Sequence, residues 1–279
     1  MQKKKPKLGQ NFLVSAPAQS AIVDALGDVS TRTVIEIGPG RGALTGLLAG
    51  RARRLVAIEL DAELAARLRS EFAGRENVEI REEDVLETDF AALRAGGERL
   101  MVVGNLPYYI TSEILLRLFQ YADEIERAVL MMQREMAERL AAQPGGREYG
   151  VLSATAQLYA RVEKLMTLPP GAFAPPPQVH STLLRMTMAP QFEELGVEAE
   201  EFVALIRASF AQKRKMLAKN LRNVGYGADA VAAALAASGV AATARAEEVD
   251  LARMAAVWKQ LQAGKRQQGT DSRRTGGAE

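Results

Sequence analysis

The sequence predicts an α/β chain: a Rossmann-like sheet domain over residues 1–190, a small C-terminal helical domain over 191–264, and a disordered tail over 265–279. Three observations carry this. From residue 32 to about 190, apolar runs of strand length alternate with helical segments, the order a doubly wound sheet requires. The first run, Thr33-Val34-Ile35-Glu36-Ile37, passes straight into Gly38-Pro39-Gly40-Arg41-Gly42 and then a helical segment, the nucleotide-binding opening of such sheets. From Glu198 onward no strand pattern survives, and alanine-rich helical segments dominate, among them residues 229–237 and 250–261.

In the glycine turn, residues without a side chain let the backbone approach a ligand closely, and Pro39 stiffens the turn without needing an amide partner. The next apolar strand, residues 55–58, ends in Glu59, and a carboxylate there suits a ribose because it accepts from both hydroxyls. A third strand over residues 77–80 delivers Asp84, placed to accept from an adenine amino group. Gly-x-Gly-x-Gly is shorter than the dinucleotide fingerprint, which needs its helix end for a pyrophosphate. S-adenosylmethionine has ribose and adenine but no pyrophosphate, so it is favoured over NAD.

A fourth apolar run, residues 100–103, leads into Asn105-Leu106-Pro107-Tyr108-Tyr109-Ile110. An exocyclic base amine is a poor nucleophile, since its lone pair is delocalised into the ring, and it needs acceptors that favour a pyramidal nitrogen. The Asn105 side-chain oxygen and the Leu106 carbonyl are candidate acceptors, and Tyr108 offers a face on which a base can stack. The competing reading is a strand-to-helix turn, with Asn and Pro chosen for turn geometry and a helix beginning at Thr111 or Ser112.

Further strands are expected over residues 128–132, 162–168 and 182–188, and residues 144–150 read as a mobile loop near the active edge. The last two strands flank Phe173-Ala174-Pro175-Pro176-Pro177-Gln178-Val179-His180-Ser181, whose prolines fix an extended backbone. Taken with Asn105 and Tyr108, this loop is expected to fold over the sheet end so that Phe173 and Tyr108 sandwich an unstacked base; the alternative is a linker whose Phe173 plugs a core. His180, the single histidine, reads as a structural or rim residue.

Several separated motifs together resemble one family, the small-subunit ribosomal RNA adenine dimethyltransferases of bacteria, known as KsgA or RsmA. The likeness runs from Gly9-Gln10-Asn11-Phe12-Leu13 through Glu36-Ile37-Gly38-Pro39-Gly40, the Asn105 motif and the Phe173 loop to Phe210-Ala211-Gln212-Lys213-Arg214-Lys215. It implies a class I S-adenosylmethionine-dependent methyltransferase sheet whose last strand runs antiparallel to the rest. It implies that Asn11, Leu13, Gly38, Glu59, Asp84 and Asn105 contact S-adenosylmethionine, and that Asn105, Leu106, Tyr108 and Phe173 hold the target adenine. It further implies transfer of four methyl groups, two to each of two adjacent adenosines in the hairpin near the 3′ end of 16S ribosomal RNA, within the small subunit or its precursor. Leu8, where many relatives have an aromatic residue, departs from the pattern outside the proposed chemistry.

Composition agrees with a cytoplasmic enzyme, and a monomer is expected. With 48% hydrophobic residues in 279, the chain can bury a sizeable core, and no segment has the unbroken apolar length needed to span a bilayer. The N-terminus lacks an apolar signal region, so secretion is not expected. The absence of cysteine and the single histidine remove disulfides, thiol nucleophiles and most zinc sites, and methyl transfer from a sulfonium needs no metal.

The net charge is only +2, but the basic residues are clustered. Lys3, Lys4, Lys5 and Lys7 form one group. Lys213, Arg214, Lys215, Lys219 and Arg222 form another, read as one helix docked through Phe210, Leu217 and Leu221 with its basic face toward RNA phosphates rather than merely solvated. Three other functions compete: an erythromycin-resistance type methyltransferase of large-subunit RNA, a DNA adenine methyltransferase, and a ribosome-assembly factor that recognises immature subunits without catalysis. The Gly9-to-Leu13 segment, the form of the Asn105 motif and the basic cluster favour the small-subunit enzyme over the first. A DNA enzyme would bring a target-recognition domain, and an intact methyl-donor site argues against a purely binding role.

Overall fold

The computed structural model of the chain describes residues 11–94 and 96–275, with side chains as far as residue 264. The chain divides into two compact units. One runs to Glu138 and resumes over Ala160–Ala189; the other holds Arg139–Tyr159 and continues from Pro190. Residues 139–159, expected within the sheet domain, thus pack in the second unit instead.

In the first unit the strands are β1 (Phe12–Leu13), β2 (Thr33–Ile37), β3 (Arg54–Glu59), β4 (Val78–Glu82), β5 (Leu100–Asn105), β6 (Ile125–Gln133), β7 (Ala160–Leu168), β8 (Phe173–Ala174) and β9 (Ser181–Met188). Seven of them form one sheet in the order β4-β3-β2-β5-β6-β9-β7, while β1 and β8 pair antiparallel on their own. β9 is antiparallel to both β6 and β7, and the remaining pairings are parallel, so the last strand is the reversed one. Every residue of β2 is buried, as a parallel strand covered on both faces requires. β4 lies at an edge, and its half-exposed charges are paired there: Arg54 with Glu79 at 2.7 Å and Arg81 with Glu79 at 2.6 Å.

After β2 the chain builds β3 and β4 to one side, then returns to lay β5 against the other edge of β2. That reversal leaves a crevice beyond the carboxyl ends of β2 and β5, where open α/β sheets bind ligands. Close contact of the two strands depends on Gly104, where an added Cβ would lie 2.7 Å from the Ile37 carbonyl oxygen and 3.1 Å from the Ile37 Cβ.

The connections are helical: α1 (Ala16–Asp24), α2 (Thr45–Ala49), α3 (Ala62–Glu71), α4 (Thr111–Gln120) and α5 (Arg134–Leu140). α3 starts where it does because the Asp61 carboxylate accepts the Glu63 and Leu64 amides at 3.0 and 3.1 Å. α4 begins at Thr111, whose hydroxyl donates to the Pro107 carbonyl at 2.9 Å. Its apolar face, Ile114, Leu115, Leu118 and Phe119, is buried.

The second unit consists of α6 (Val151–Tyr159), α7 (Phe192–Leu195), α8 (Ala199–Ser209), α9 (Leu217–Asn223), α10 (Ala228–Ala237) and α11 (Leu251–Thr275) around a core that includes Phe202, Leu221, Leu235 and Trp258. Residues 144–150 are not a loose loop. Tyr149 is 1% exposed in this core with its ring edge-on to Phe210 at 6.0 Å, and the Gly145 amide donates to the Glu247 carbonyl at 2.7 Å. The Pro-Gly-Gly composition hid an aromatic anchor.

Two further expectations change. The basic cluster does not stand on one helix: α8 ends at Ser209 and α9 starts at Leu217, so Lys213, Arg214 and Lys215 lie on the turn between them, with Lys219 and Arg222 on α9. Two successive helices packed on one core keep an apolar spacing that imitates a single helix. α11 continues as far as Thr275, into residues expected to form a disordered tail, and Gln, Lys and Arg there are good helix formers. The cluster Lys3, Lys4, Lys5 and Lys7, together with Leu8, Gly9, Gln10 and the last four residues, lies outside the described residues.

Replacing Gly104 with Ala places a methyl group inside van der Waals distance of the Ile37 backbone. Denaturant titration of Gly104→Ala is expected to show a loss of about 1–3 kcal/mol from overpacking, and an unchanged midpoint would mean that β2 and β5 do not need this approach.

Candidate active site

Beyond the ends of β2, β3 and β5 the first unit opens into a cavity of about 200 Å³. It brings together Asn11, Leu13, Gly38, Glu59, Asp84, Asn105, Leu106 and Tyr108, from segments far apart in the chain.

Asn105 closes β5, and its amide nitrogen donates to the Asn11 carbonyl at 2.8 Å. A carbonyl only accepts, so this bond fixes which end of the amide faces it. The Asn105 Oδ1 is buried and has no hydrogen-bond partner among the described residues, an acceptor available to a ligand's donor. The following residue is anchored by its amide, which donates from Leu106 to the Met131 carbonyl at 2.9 Å. The Tyr108 hydroxyl shares a 2.7 Å hydrogen bond with the fully buried Ser181, which anchors the tip of a half-buried ring at the cavity.

Glu59 is 4% exposed. One carboxylate oxygen accepts the Gly40 amide and the other the Asp61 amide, both at 3.0 Å, so the glycine turn and the start of α3 are tied to one side chain. Each oxygen keeps a second lone pair for a ligand hydroxyl. Gly38 has φ +63°, a left-handed conformation, and a Cβ built there would meet no atom of the described residues within 4 Å. Asp84 uses one carboxylate oxygen to accept the Leu86 amide at 2.9 Å, which holds its own turn at the cavity wall. Above the turn lies the Phe12 ring, 2.9 Å from where a Gly40 Cβ would stand, with the Arg41 guanidinium 4.4 Å from the ring centroid.

Phe173 does not join this group. Its backbone pairs with Leu13 across the β1–β8 ladder, its side chain is 3% exposed within the first unit's core, and it does not line the cavity. The core-plug alternative describes it, and its contribution is to hold the segment that carries Asn11 and Leu13. Within the same loop the Ala174–Pro175 peptide is cis, and the exposed His180 accepts the Arg134 amide at its carbonyl at 3.0 Å.

The cavity also contains residues with no role assigned from sequence. Glu36 is 2% exposed, lines the cavity and accepts the Thr45 hydroxyl at 2.7 Å; burial pushes its carboxyl up to about 7 despite that bond, and the nearby Glu59 adds to the rise. Its signal was an acid inside an otherwise apolar strand. Burial also raises Glu59, against the pull of the Asp61 and Gly40 amides. The Tyr109 phenol, at the rim, is raised by burial and then by Asp84 and Glu59; that of Tyr108 is raised by burial and only partly offset by Ser181. Both tyrosines are therefore neutral at physiological pH. Ser181 carried no signal beyond its place after the proline loop.

A sequence model of ribosomal RNA adenine dimethylases matches residues 1–263. The chain belongs to the ribosomal RNA adenine dimethylase family. Among its relatives, the ribosomal RNA small subunit methyltransferase A of Acidobacterium capsulatum is 60% identical over 260 residues, covering 93% of this chain and 92% of the relative. The protein of the same name from Koribacter versatilis is 51% identical over 273 residues, covering 94% and 95%. Among solved structures, the 23S rRNA methyltransferase ErmE superposes with a TM-score of 0.70 at 26% identity, over 90% of this chain and 100% of that one. A dimethyladenosine transferase from Plasmodium falciparum shares the fold with a TM-score of 0.75 at 24% identity, over 88% and 95%.

In this family member the raised Glu36 makes stability depend on pH in a defined direction. A folded-state value of about 7 against an ordinary 4.5 means that the stabilisation is complete below about pH 4.5 and is lost as pH rises through 7, by about 3 kcal/mol in all. Glu36→Gln removes this term. Unfolding free energies at pH 5 and pH 8 should therefore fall more steeply with pH for the wild type than for Glu36→Gln, and parallel pH profiles would show that Glu36 ionises normally.

Proposed function

We propose that this chain transfers methyl groups from S-adenosylmethionine to the N6 amines of two adjacent adenosines in the hairpin near the 3′ end of 16S ribosomal RNA, two to each, during small-subunit biogenesis. The partner is that RNA within the small subunit or its precursor, and the chain acts as a monomer in the cytoplasm. The observation that carries the reading is the buried Asn105 Oδ1 at the end of β5, without a partner among the described residues, beside Leu106 and Tyr108.

When bound, S-adenosylmethionine supplies an electrophilic methyl group on a positively charged sulfonium. Glu59 suits its ribose hydroxyls, Asp84 its adenine amino group, and the open face of Gly38 a close backbone approach, with Asn11 and Leu13 closing the same cavity. The Asn105 Oδ1 and the Leu106 carbonyl accept the N–H groups of the target amine, which draws the nitrogen toward a pyramidal form and points its lone pair at the methyl carbon. Tyr108 stacks on the unstacked base, and its ring face meets the positive charge that grows on the amine, worth about 1–2 kcal/mol in a desolvated site. The proton leaves to water after transfer, so no side chain acts as base. An amine that already carries one methyl keeps an N–H and its lone pair, which allows the second transfer.

Relatives sharing 60% and 51% identity carry the small-subunit name, which supports 16S RNA over the large-subunit alternative despite the fold shared with ErmE. Incubation with labelled S-adenosylmethionine and unmodified small subunits, large subunits or duplex DNA, followed by mapping, tests the choice. Label is expected on paired dimethyladenosines of the small subunit alone; label confined to large subunits, or monomethyladenosine as the sole product, overturns it.

Glu59→Ala should weaken S-adenosylmethionine binding by about 1–3 kcal/mol in calorimetric titration, since the ribose loses its acceptor, with RNA affinity little changed; unaltered cofactor affinity in the folded variant removes Glu59 from the site. Asn105→Ala should slow the chemical step far more than it weakens either substrate, because an amine without its acceptor stays planar and conjugated. Single-turnover kinetics at saturating RNA and cofactor separate the two, and near-normal transfer by a folded variant would falsify the amine grip.

A further inference from the structure

Asn220, on α9, takes no part in the chemistry above, yet it is 1% exposed. Its amide nitrogen donates to the Ser209 carbonyl at 2.6 Å and to the Gln212 carbonyl at 3.3 Å, while its Oδ1 is buried with no partner among the described residues. A buried side chain that leaves its acceptor unsatisfied is costly, and here its donors go to the backbone on the entry side of the turn over residues 210–216. At the exit, Met216 bridges to Arg245 and the Leu217 amide donates to the Ala244 carbonyl at 2.8 Å. Inside the turn the Lys215 amide donates to the Gln212 carbonyl at 2.9 Å, so Asn220 and Lys215 share one acceptor. The turn is thus pinned at both ends, and the three basic residues it carries, Lys213, Arg214 and Lys215, are all exposed.

We propose that Asn220 is a positioning residue for RNA binding: its buried amide holds residues 210–216 in a preset shape, so that Lys213, Arg214 and Lys215 meet substrate phosphates without the turn having to order on contact. This rests on reading those three side chains as phosphate contacts. The physical gain is preorganisation, since fixing several backbone residues only on binding would subtract their conformational entropy from the affinity. Counterion release depends on how many phosphates are neutralised, so the strut and the charges leave different marks on salt dependence.

The test uses the full chain and unmethylated small ribosomal subunits across a salt series. Asn220→Ala is expected to weaken RNA binding roughly tenfold, the effect of losing one hydrogen-bonded anchor, by the same factor at every salt concentration, leaving the slope parallel to wild type. KM for the RNA rises while kcat holds. Joint replacement of Lys213, Arg214 and Lys215 with Ala should instead flatten the slope. A triple variant with wild-type slope overturns the phosphate reading itself; a flattened triple variant beside an Asn220→Ala protein that binds as wild type overturns the strut alone. Hydrogen exchange on the unsubstituted protein decides the matter even if Asn220→Ala fails to fold. Amides of residues 211 and 215 protected before RNA is added support preorganisation, and free exchange there, followed by protection on binding, rules it out.

Discussion

The Asn11 carbonyl accepts the Asn105 amide nitrogen at 2.8 Å, and the rest of the site is arranged around the orientation this imposes. Without it the amide could rotate by half a turn and present donors to the cavity in place of its acceptor. The Asn11 segment is itself held by the short β1–β8 ladder, where Leu13 lies opposite Phe173. A buried aromatic ring in one loop is therefore linked, through a backbone pairing and one hydrogen bond, to which atom a strand end shows to the cavity.

The charge distribution follows a consistent logic. Glu36, Glu59 and Asp84 line one cavity of about 200 Å³, two of them raised by burial. Burial of like charges is unfavourable for the empty protein and favourable for a ligand that brings positive charge, because the ligand relieves the repulsion that the fold has to bear. A sulfonium donor is such a ligand, whereas a pyrophosphate would be repelled. The neutral tyrosines fit the same scheme, since a tyrosinate beside these acids would add a further negative charge.

Strand ends were the most legible part of the sequence. Gly38, Glu59 and Asn105 each follow an apolar run and Asp84 a mixed edge strand, and a parallel sheet collects such ends at one edge, so pattern and topology together place them in one cavity. What could not be read depends on tertiary packing. Phe173 faces inward because its strand pairs with β1, a register that the proline-rich composition does not encode. The basic turn reads as helix in the sequence because two helices on one core maintain a helical spacing of Phe210, Leu217 and Leu221. Ser181 and Asn220 are small polar residues whose importance lies in what they touch, 73 and 11 residues away along the chain. Glu36 was visible as an acid within an apolar strand, but its burial beside Glu59 is a property of the folded sheet.

The second unit is assembled from an internal segment, Arg139–Tyr159, and the chain from Pro190 onward. Its core includes Tyr149, Ala154 and Leu158 from the internal piece. The molecule is therefore not modular in the manner of beads on a string. A fragment starting at residue 190 would leave part of its own interior behind, and a fragment ending there would carry an orphaned apolar helix. Exchange of one unit between relatives by a single recombination point would break one core or the other, so the two units are constrained to be inherited together.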